Sequence, residues 1–163
     1  MGITFNADEI FEMACQIERN GAKFYRKAAR SAPGEPAKDI LLRLADMEVQ
    51  HERTFAAMKS ELSAREQASA SFDPEGQAAL YLQAVADGHV FDIRVDPSSK
   101  LTGKETLAEV FRTAIGLEKD SIVFYLGMQD LVGRDLGRDR IGNIIKEEMS
   151  HVTILSGELA KVA

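Results

Sequence analysis

Two of the three histidines in this chain follow a glutamate by three positions, on helical stretches whose same face is otherwise apolar. The pairs are Glu48 with His51 and Glu148 with His151. Residues three apart lie on one face of a helix, and an unpaired charge on a buried face costs free energy. Carboxylate and imidazole groups together suit iron or manganese. The two pairs therefore indicate a buried metal site.

The first and second halves of the chain match each other with a displacement of 100 residues. The residues that recur are Glu18, Phe24, Tyr25, Glu48 and His51, which return as Glu118, Phe124, Tyr125, Glu148 and His151. This match predicts an internal repeat. Each half would supply one single glutamate and one Glu-x-x-His pair to a common core.

The charge of these side chains predicts how many cations they hold. Four buried carboxylates would repel one another, whereas two divalent cations would neutralise them. Four inward glutamates with two Glu-x-x-His pairs form the ligand set of di-iron and di-manganese helix bundles. We expect Glu48 and Glu148 to bridge two iron ions, with manganese as the alternative metal. The terminal ligands would be Glu18 and His51 on one ion, and Glu118 and His151 on the other.

Four long helices are predicted to carry these residues. Asn6 with Glu9, and Thr102 with Glu105, have the spacing of capping boxes at helix starts. The segments "SAPGEP" and "GRDLG" contain the residues that break helices. The helices are expected at about 7–31, 36–63, 103–132 and 136–161. The short breaks between them predict two antiparallel helix hairpins.

The segment 64–102 is predicted to cross over between the two hairpins. It carries one short helix that opens at "DPEGQAALYLQA", with Asp73 as its cap and Pro74 in its first turn. The second long helix would extend about 39 Å, and a parallel third helix needs a connection that travels back along it. The chain is therefore predicted to be one all-α domain, residues 1–163, with a ferritin-like four-helix bundle.

Composition excludes several other classes of function. The 26 acidic residues exceed the 20 basic ones, and the net charge of −6 argues against nucleic acid or an anionic membrane as partner. The amino terminus lacks the pattern of a signal peptide, and no apolar run is long enough to span a bilayer. We expect a cytoplasmic protein. The single cysteine, Cys15, excludes a cysteine-based zinc or iron–sulfur site within one chain.

The segments "IERNGAKFY" and "EVQH", with "LEKDSIVFY" and "EEMSH" in the second half, resemble the rubrerythrin branch of the ferritin-like superfamily. The resemblance covers the four long helices. It implies a non-haem di-iron site that reduces hydrogen peroxide or reacts with dioxygen, and a homodimeric assembly. It also implies that Tyr25 and Tyr125 hydrogen-bond to ligand carboxylates, although ordinary core aromatics are the alternative.

The chain departs from the rubrerythrin pattern in two places. It has no four-cysteine rubredoxin-like domain, so electrons are expected from a separate donor protein. Ser121 stands where rubrerythrins carry an extra glutamate on the third helix, about one turn after the first. The site is therefore expected to be more symmetric than in that branch.

Three functions stay open at this point: an oxidoreductase that reduces peroxide or dioxygen, an iron-oxidising and iron-storage protein, and a non-catalytic helical module that the metal stabilises. The neighbouring residues have plainer interpretations. Cys15 is expected to be a small core residue, His89 a loop or interface residue, and Glu52 and Glu147 outward charges.

Overall fold

Five α-helices and a short 3₁₀ turn make up the part of the chain that the computed structural model describes, namely residues 6–62, 77–86, 93–132 and 136–163. The helices are α1 (Ala7–Ser31), α2 (Glu35–Ser60), α3 (Gln77–Ala86), α4 (Leu107–Leu131) and α5 (Arg138–Val162), and the 3₁₀ turn is Pro97–Lys100. Helix α1 packs against α2, and α4 packs against α5. The prediction of an all-α fold built from two helix hairpins is confirmed.

Helix α1 starts as the sequence predicts. The backbone N–H of Glu9 donates to Asn6 Oδ1 at 2.8 Å, and the backbone N–H of Asn6 donates to Glu9 Oε2 at 3.0 Å. These two bonds close a capping box, which satisfies two N–H groups that the helix itself cannot.

The predicted capping box at Thr102 is wrong, and α4 starts four residues later than predicted. Thr106 and Glu109 form the box, with the N–H of Thr106 donating to Glu109 Oε2 at 2.7 Å. Thr102 does contact Glu105, because its N–H donates to Glu105 Oε1 at 2.7 Å. Gly103, however, has φ +83°, which lies outside the right-handed helical region. The first motif therefore closes a turn in front of the helix.

The predicted short helix of the crossover corresponds to α3, while its proposed cap, Asp73, and Pro74 lie outside the described residues. Helix α3 packs on α4 at Gly127, where an added Cβ atom would clash with the ring of Tyr81. The Tyr81 hydroxyl donates to the carbonyl of Val123 at 2.8 Å. A small residue at position 127 thus allows α3 to lie close to α4.

The buried apolar residues form two clusters, one toward each end of the bundle. One cluster includes Phe11, Phe55 and Met128, and the other includes Leu44 and Phe111. The predicted metal ligands fall between the two clusters along every long helix, so apolar side chains cover them from both ends. Within the described ranges, no helix combines the length and apolar character that crossing a membrane requires.

Candidate metal centre

The four long helices bring the predicted ligands together in the middle of the bundle. Helix α1 supplies one glutamate, α4 supplies another, and α2 and α5 each supply a glutamate and a histidine. Each of these six predicted ligands is at most 3% exposed. They are Glu18, Glu48, His51, Glu118, Glu148 and His151. The 4-3 spacing of inward positions on each helix is what places these polar groups in the core.

The cluster divides into two sets of four residues that share two members. One set is Glu18, Glu48, His51 and Glu148, and the other is Glu48, Glu118, Glu148 and His151. In each set, one ligand atom per residue lies within 4.8 Å of the others. Glu48 and Glu148 belong to both sets, which is the placement that bridging carboxylates require. Their role as bridges stays a prediction.

Both imidazole rings direct Nδ1 at the carboxylates. His51 Nδ1 lies 3.1 Å from Glu148 Oε1 and 3.5 Å from Glu18 Oε2. His151 Nδ1 lies 3.0 Å from Glu148 Oε2 and 3.3 Å from Glu48 Oε1. The rings stack with their centroids 5.6 Å apart. The two nitrogens therefore face a common polar centre from α2 and α5.

The two tyrosines hydrogen-bond to the carboxylates in a crosswise pattern. Tyr25 on α1 donates to Glu118 on α4, and Tyr125 on α4 donates to Glu18 on α1. Both rings are buried. The hydrogen bonds expected of these tyrosines are thus present, and each one joins the two hairpins. They fix the orientation of the carboxylates that carry the predicted ligand atoms.

Several buried polar atoms of the cluster have no hydrogen-bond partner among the described residues. They are Glu18 Oε2, Glu48 Oε1, Glu148 Oε2, His151 Nδ1 and His151 Nε2. Leaving a buried polar group unsatisfied costs about 1–3 kcal/mol, so a cluster of them needs a compensating group. Divalent cations at the centre would satisfy the three carboxylate oxygens and His151 Nδ1. The residues present therefore fit a metal centre.

The pKa values of the cluster reflect the same crowding of charge. Burial, followed by repulsion from Glu48 and Glu148, raises the pKa of Glu18 well above its usual range. Burial alone would lower the pKa of His51 and of His151, but the carboxylates within ion-pair distance of each Nδ1 raise both to about 12. In the metal-free cluster, protons therefore balance part of the negative charge. A metal ion that binds here must displace them.

The comparisons with known proteins agree with this geometry. A family model described as rubrerythrin matches residues 9–159. The chain belongs to the rubrerythrin family. A crystal structure of a Thermotoga maritima protein that carries the name ferritin-like diiron-carboxylate protein matches with a TM-score of 0.71 and 24% sequence identity, over 98% of each chain. This second likeness confirms the ferritin-like fold, and a search among curated proteins found no match.

Membership of the rubrerythrin family and the buried cluster together fit a di-iron protein. At position 121, where the sequence departs from the rubrerythrin pattern, this chain has serine. Ser121 is buried, and its hydroxyl donates to the carbonyl of Leu117 at 3.0 Å. The side chain is thus tied back to its own helix.

A cavity of about 380 Å³ leads to the cluster in this rubrerythrin-family chain, and the sequence did not predict it. Its lining includes Gly21, Glu48, Glu118 and Ser121. Gly21 and Ser121 are counterparts in the 100-residue repeat, and both are small. Small residues at these two positions were the signal in the sequence that could have indicated open space beside the carboxylates.

The expectation that Glu147 is an outward charge agrees with its exposure but missed a contact that it makes with the cluster. Its side chain is half exposed, but Oε2 lies 2.8 Å from His51 Nε2. Glu147 precedes Glu148 on α5, and the close approach of α2 brings His51 within its reach. Glu52 does point away from the cluster and pairs with Arg19 at 2.7 Å.

The remaining predictions concern residues away from the cluster. Cys15 is buried, and burial raises the pKa of its thiol to about 11, which fits the interpretation of a small core residue. His89 lies outside the described residues.

Proposed function

We propose that this chain is a non-haem di-iron oxidoreductase that reduces hydrogen peroxide or reacts with dioxygen. The observation that carries the proposal is the cavity that reaches Glu48 and Glu118 in a cluster that apolar side chains cover from both ends of the bundle. A small oxidant needs such a route to a buried metal, and the neighbouring carboxylates would hold the metal at the inner end of that route.

The proposed ligand roles follow the two sets of residues. Glu48 and Glu148 would each contact both iron ions, because both residues belong to both sets. Glu18 with His51, and Glu118 with His151, would complete the coordination of one ion each. When bound, two ferrous ions supply the two electrons that the reduction of a peroxide requires.

The protein's own residues orient and protect this centre. Tyr25 and Tyr125 hold Glu118 and Glu18 by hydrogen bonds across the bundle. The two apolar clusters keep bulk water away from both ends, which strengthens electrostatic interactions inside. Tyr25 also lines the cavity, and its hydroxyl donates to Glu118, a carboxylate of the same lining.

Turnover needs a source of electrons and an assembled protein. We propose that a separate electron-donor protein supplies the electrons that each turnover would consume. A homodimer in the cytoplasm is the assembly and location that we propose. Elution of the purified protein at the size of a dimer on gel filtration is the expected result.

Anaerobic loading with ferrous iron tests the function directly. Metal analysis should give two irons per chain, and the loaded protein should be oxidised rapidly by hydrogen peroxide, by dioxygen or by both. Glu48→Ala and Glu148→Ala should each abolish the binding of two irons. Wild-type iron binding in these variants would contradict the proposed site. A particle of many subunits that takes up far more than two irons per chain would support iron storage instead.

A further inference from the structure

The two halves of the cluster differ at the outer nitrogen of the histidine. His51 Nε2 lies 2.8 Å from Glu147 Oε2. His151 Nε2 is fully buried, and no described residue hydrogen-bonds to it. The inner nitrogens, in contrast, face carboxylates in the same way. The pseudo-symmetry of the cluster is therefore broken on the outer side of the two rings.

The amino-acid sequence encodes this difference. With the displacement of 100 residues that relates the two halves, the counterpart of Glu147 is Met47. A methionine thioether is only a weak hydrogen-bond acceptor and carries no charge. The repeat thus provides a carboxylate for one histidine and an apolar side chain at the corresponding place for the other.

A carboxylate on the outer nitrogen changes how well a histidine binds a metal. It accepts the Nε2–H, so the lone pair for the metal is on Nδ1, and it fixes the ring and raises its basicity. Nδ1 of His51 is the atom that faces Glu18 and Glu148. Glu147 therefore holds His51 in the tautomer and orientation that a metal ligand at this place needs, whereas no described residue gives His151 comparable support.

We propose that Glu147 is a positioning residue for His51 that makes the two metal positions unequal. The position at Glu18 and His51 takes up its ion first and holds it more tightly. The position at Glu118 and His151 fills second and exchanges its ion more readily. This inference rests on the two-metal centre of the proposed function, but not on the reaction that the centre performs.

The size of the difference follows from the exposure of Glu147. Loss of such an outer partner reduces metal affinity by about 10- to 100-fold. The Glu147 side chain is 54% exposed, and solvent screens its charge. We therefore expect a difference near the lower end of that range, about tenfold.

Stepwise titration of the metal-free protein with cobalt(II) tests this inference without any oxidant. The wild-type protein should bind two ions in two distinguishable steps. Glu147→Met, which copies the other half, should weaken the first step by about tenfold and leave the second unchanged. Glu147→Gln keeps an oxygen that can accept the Nε2–H, so it should restore most of the affinity. Glu52→Gln is the matched control, because it removes one carboxylate beside His51 without touching the cluster.

Two further variants assign each step to a position. His151→Ala should keep the tighter step, and His51→Ala should lose it, with circular dichroism confirming that both variants remain helical. Equal affinities for the two ions in the wild type would overturn the inference and leave the two-metal centre intact. The same is true if Glu147→Met behaves like Glu52→Gln. Failure to bind cobalt, manganese or iron at all would overturn the inference and the proposed function together.

Discussion

Replacing Gly21 by alanine should weaken metal binding without weakening the fold. Gly21 lies on α1 beside Glu48, the carboxylate that belongs to both ligand sets. A Cβ atom at position 21 would lie 2.7 Å from Glu48 Oε2. The carboxylate must therefore move, and it is the flexible end of a long side chain.

The size of the movement can be estimated from the contact distances. Ordinary van der Waals contact begins at 3.4 Å, so Oε2 must move by about 0.7 Å, which exceeds the roughly 0.5 Å tolerance of a preorganised site. We expect the affinity for both ions to fall by at least about tenfold, which is about 1.4 kcal/mol per ion. In the metal-free protein the carboxylate can rotate away. The gain in helix propensity should then raise the free energy of unfolding by up to about 1 kcal/mol.

Gly116→Ala is the matched control. Gly116 also lies within a long helix, two positions before Glu118, but a Cβ atom there would have no atom within 4 Å. It should give the same gain in helix propensity and leave both affinities unchanged. The measurements are cobalt(II) titration and urea unfolding of the metal-free proteins. Wild-type affinity for both ions in Gly21→Ala would refute the placement of Glu48 in the centre.

Three further outcomes are expected. Tyr125→Phe removes the hydroxyl that donates to Glu18. Cobalt(II) titration should therefore show about tenfold weaker binding at the metal position that includes Glu18. Unchanged binding would contradict the role of Tyr125 in orienting Glu18. The second outcome concerns pH. The pKa values of His51 and His151 are raised to about 12 in the metal-free fold. The stability that these protonated histidines contribute is therefore complete below the unfolded pKa of 6.5 and is lost as the pH rises toward 12. Urea unfolding of the metal-free protein should therefore show a free energy of unfolding that falls as the pH rises above about 7, and a flat profile would count against these protonated histidines. Thr106→Ala should cost about 1 kcal/mol of stability in thermal unfolding because it removes the capping box of α4, whereas no loss would argue against the assigned helix start.

The ligand cluster could be predicted from the sequence because its signals are local and repeated. Three-residue spacing places Glu48 and His51 on one helix face whatever the neighbouring helix does. The recurrence of the same residues 100 positions later supplies the second half of the cluster. The capping box of α1 was predictable for the same reason, since Asn6 and Glu9 are close in sequence and no rival motif lies nearby.

The start of α4 could not be predicted in the same way. Two Thr-x-x-Glu motifs follow each other directly, one from Thr102 to Glu105 and one from Thr106 to Glu109. Both form hydrogen bonds in the structure. The backbone at Gly103 decides between them, and glycine tolerates helical and non-helical conformations alike.

The contact of Glu147 and the cavity were not predictable either, because both depend on how the helices approach one another. Glu147 precedes an inward residue, and its side chain lies at the edge of the helix face. Only the position of α2 brings His51 Nε2 within 2.8 Å. The cavity depends in the same way on small residues that come from two different helices, Gly21 on α1 and Ser121 on α4.

The crosswise tyrosine bonds have a consequence for how such a chain can evolve. Tyr25 reaches across to Glu118 and Tyr125 to Glu18, so each hairpin completes the other as two identical subunits would. A pair of identical hairpins, however, must carry the same residue at both equivalent positions. Joining the hairpins in one polypeptide removes that restriction. Glutamate can then stand at position 147 while methionine stands at position 47, and glycine at 21 while serine stands at 121. A single gene that encodes both hairpins can therefore select different residues for the two sides of one centre.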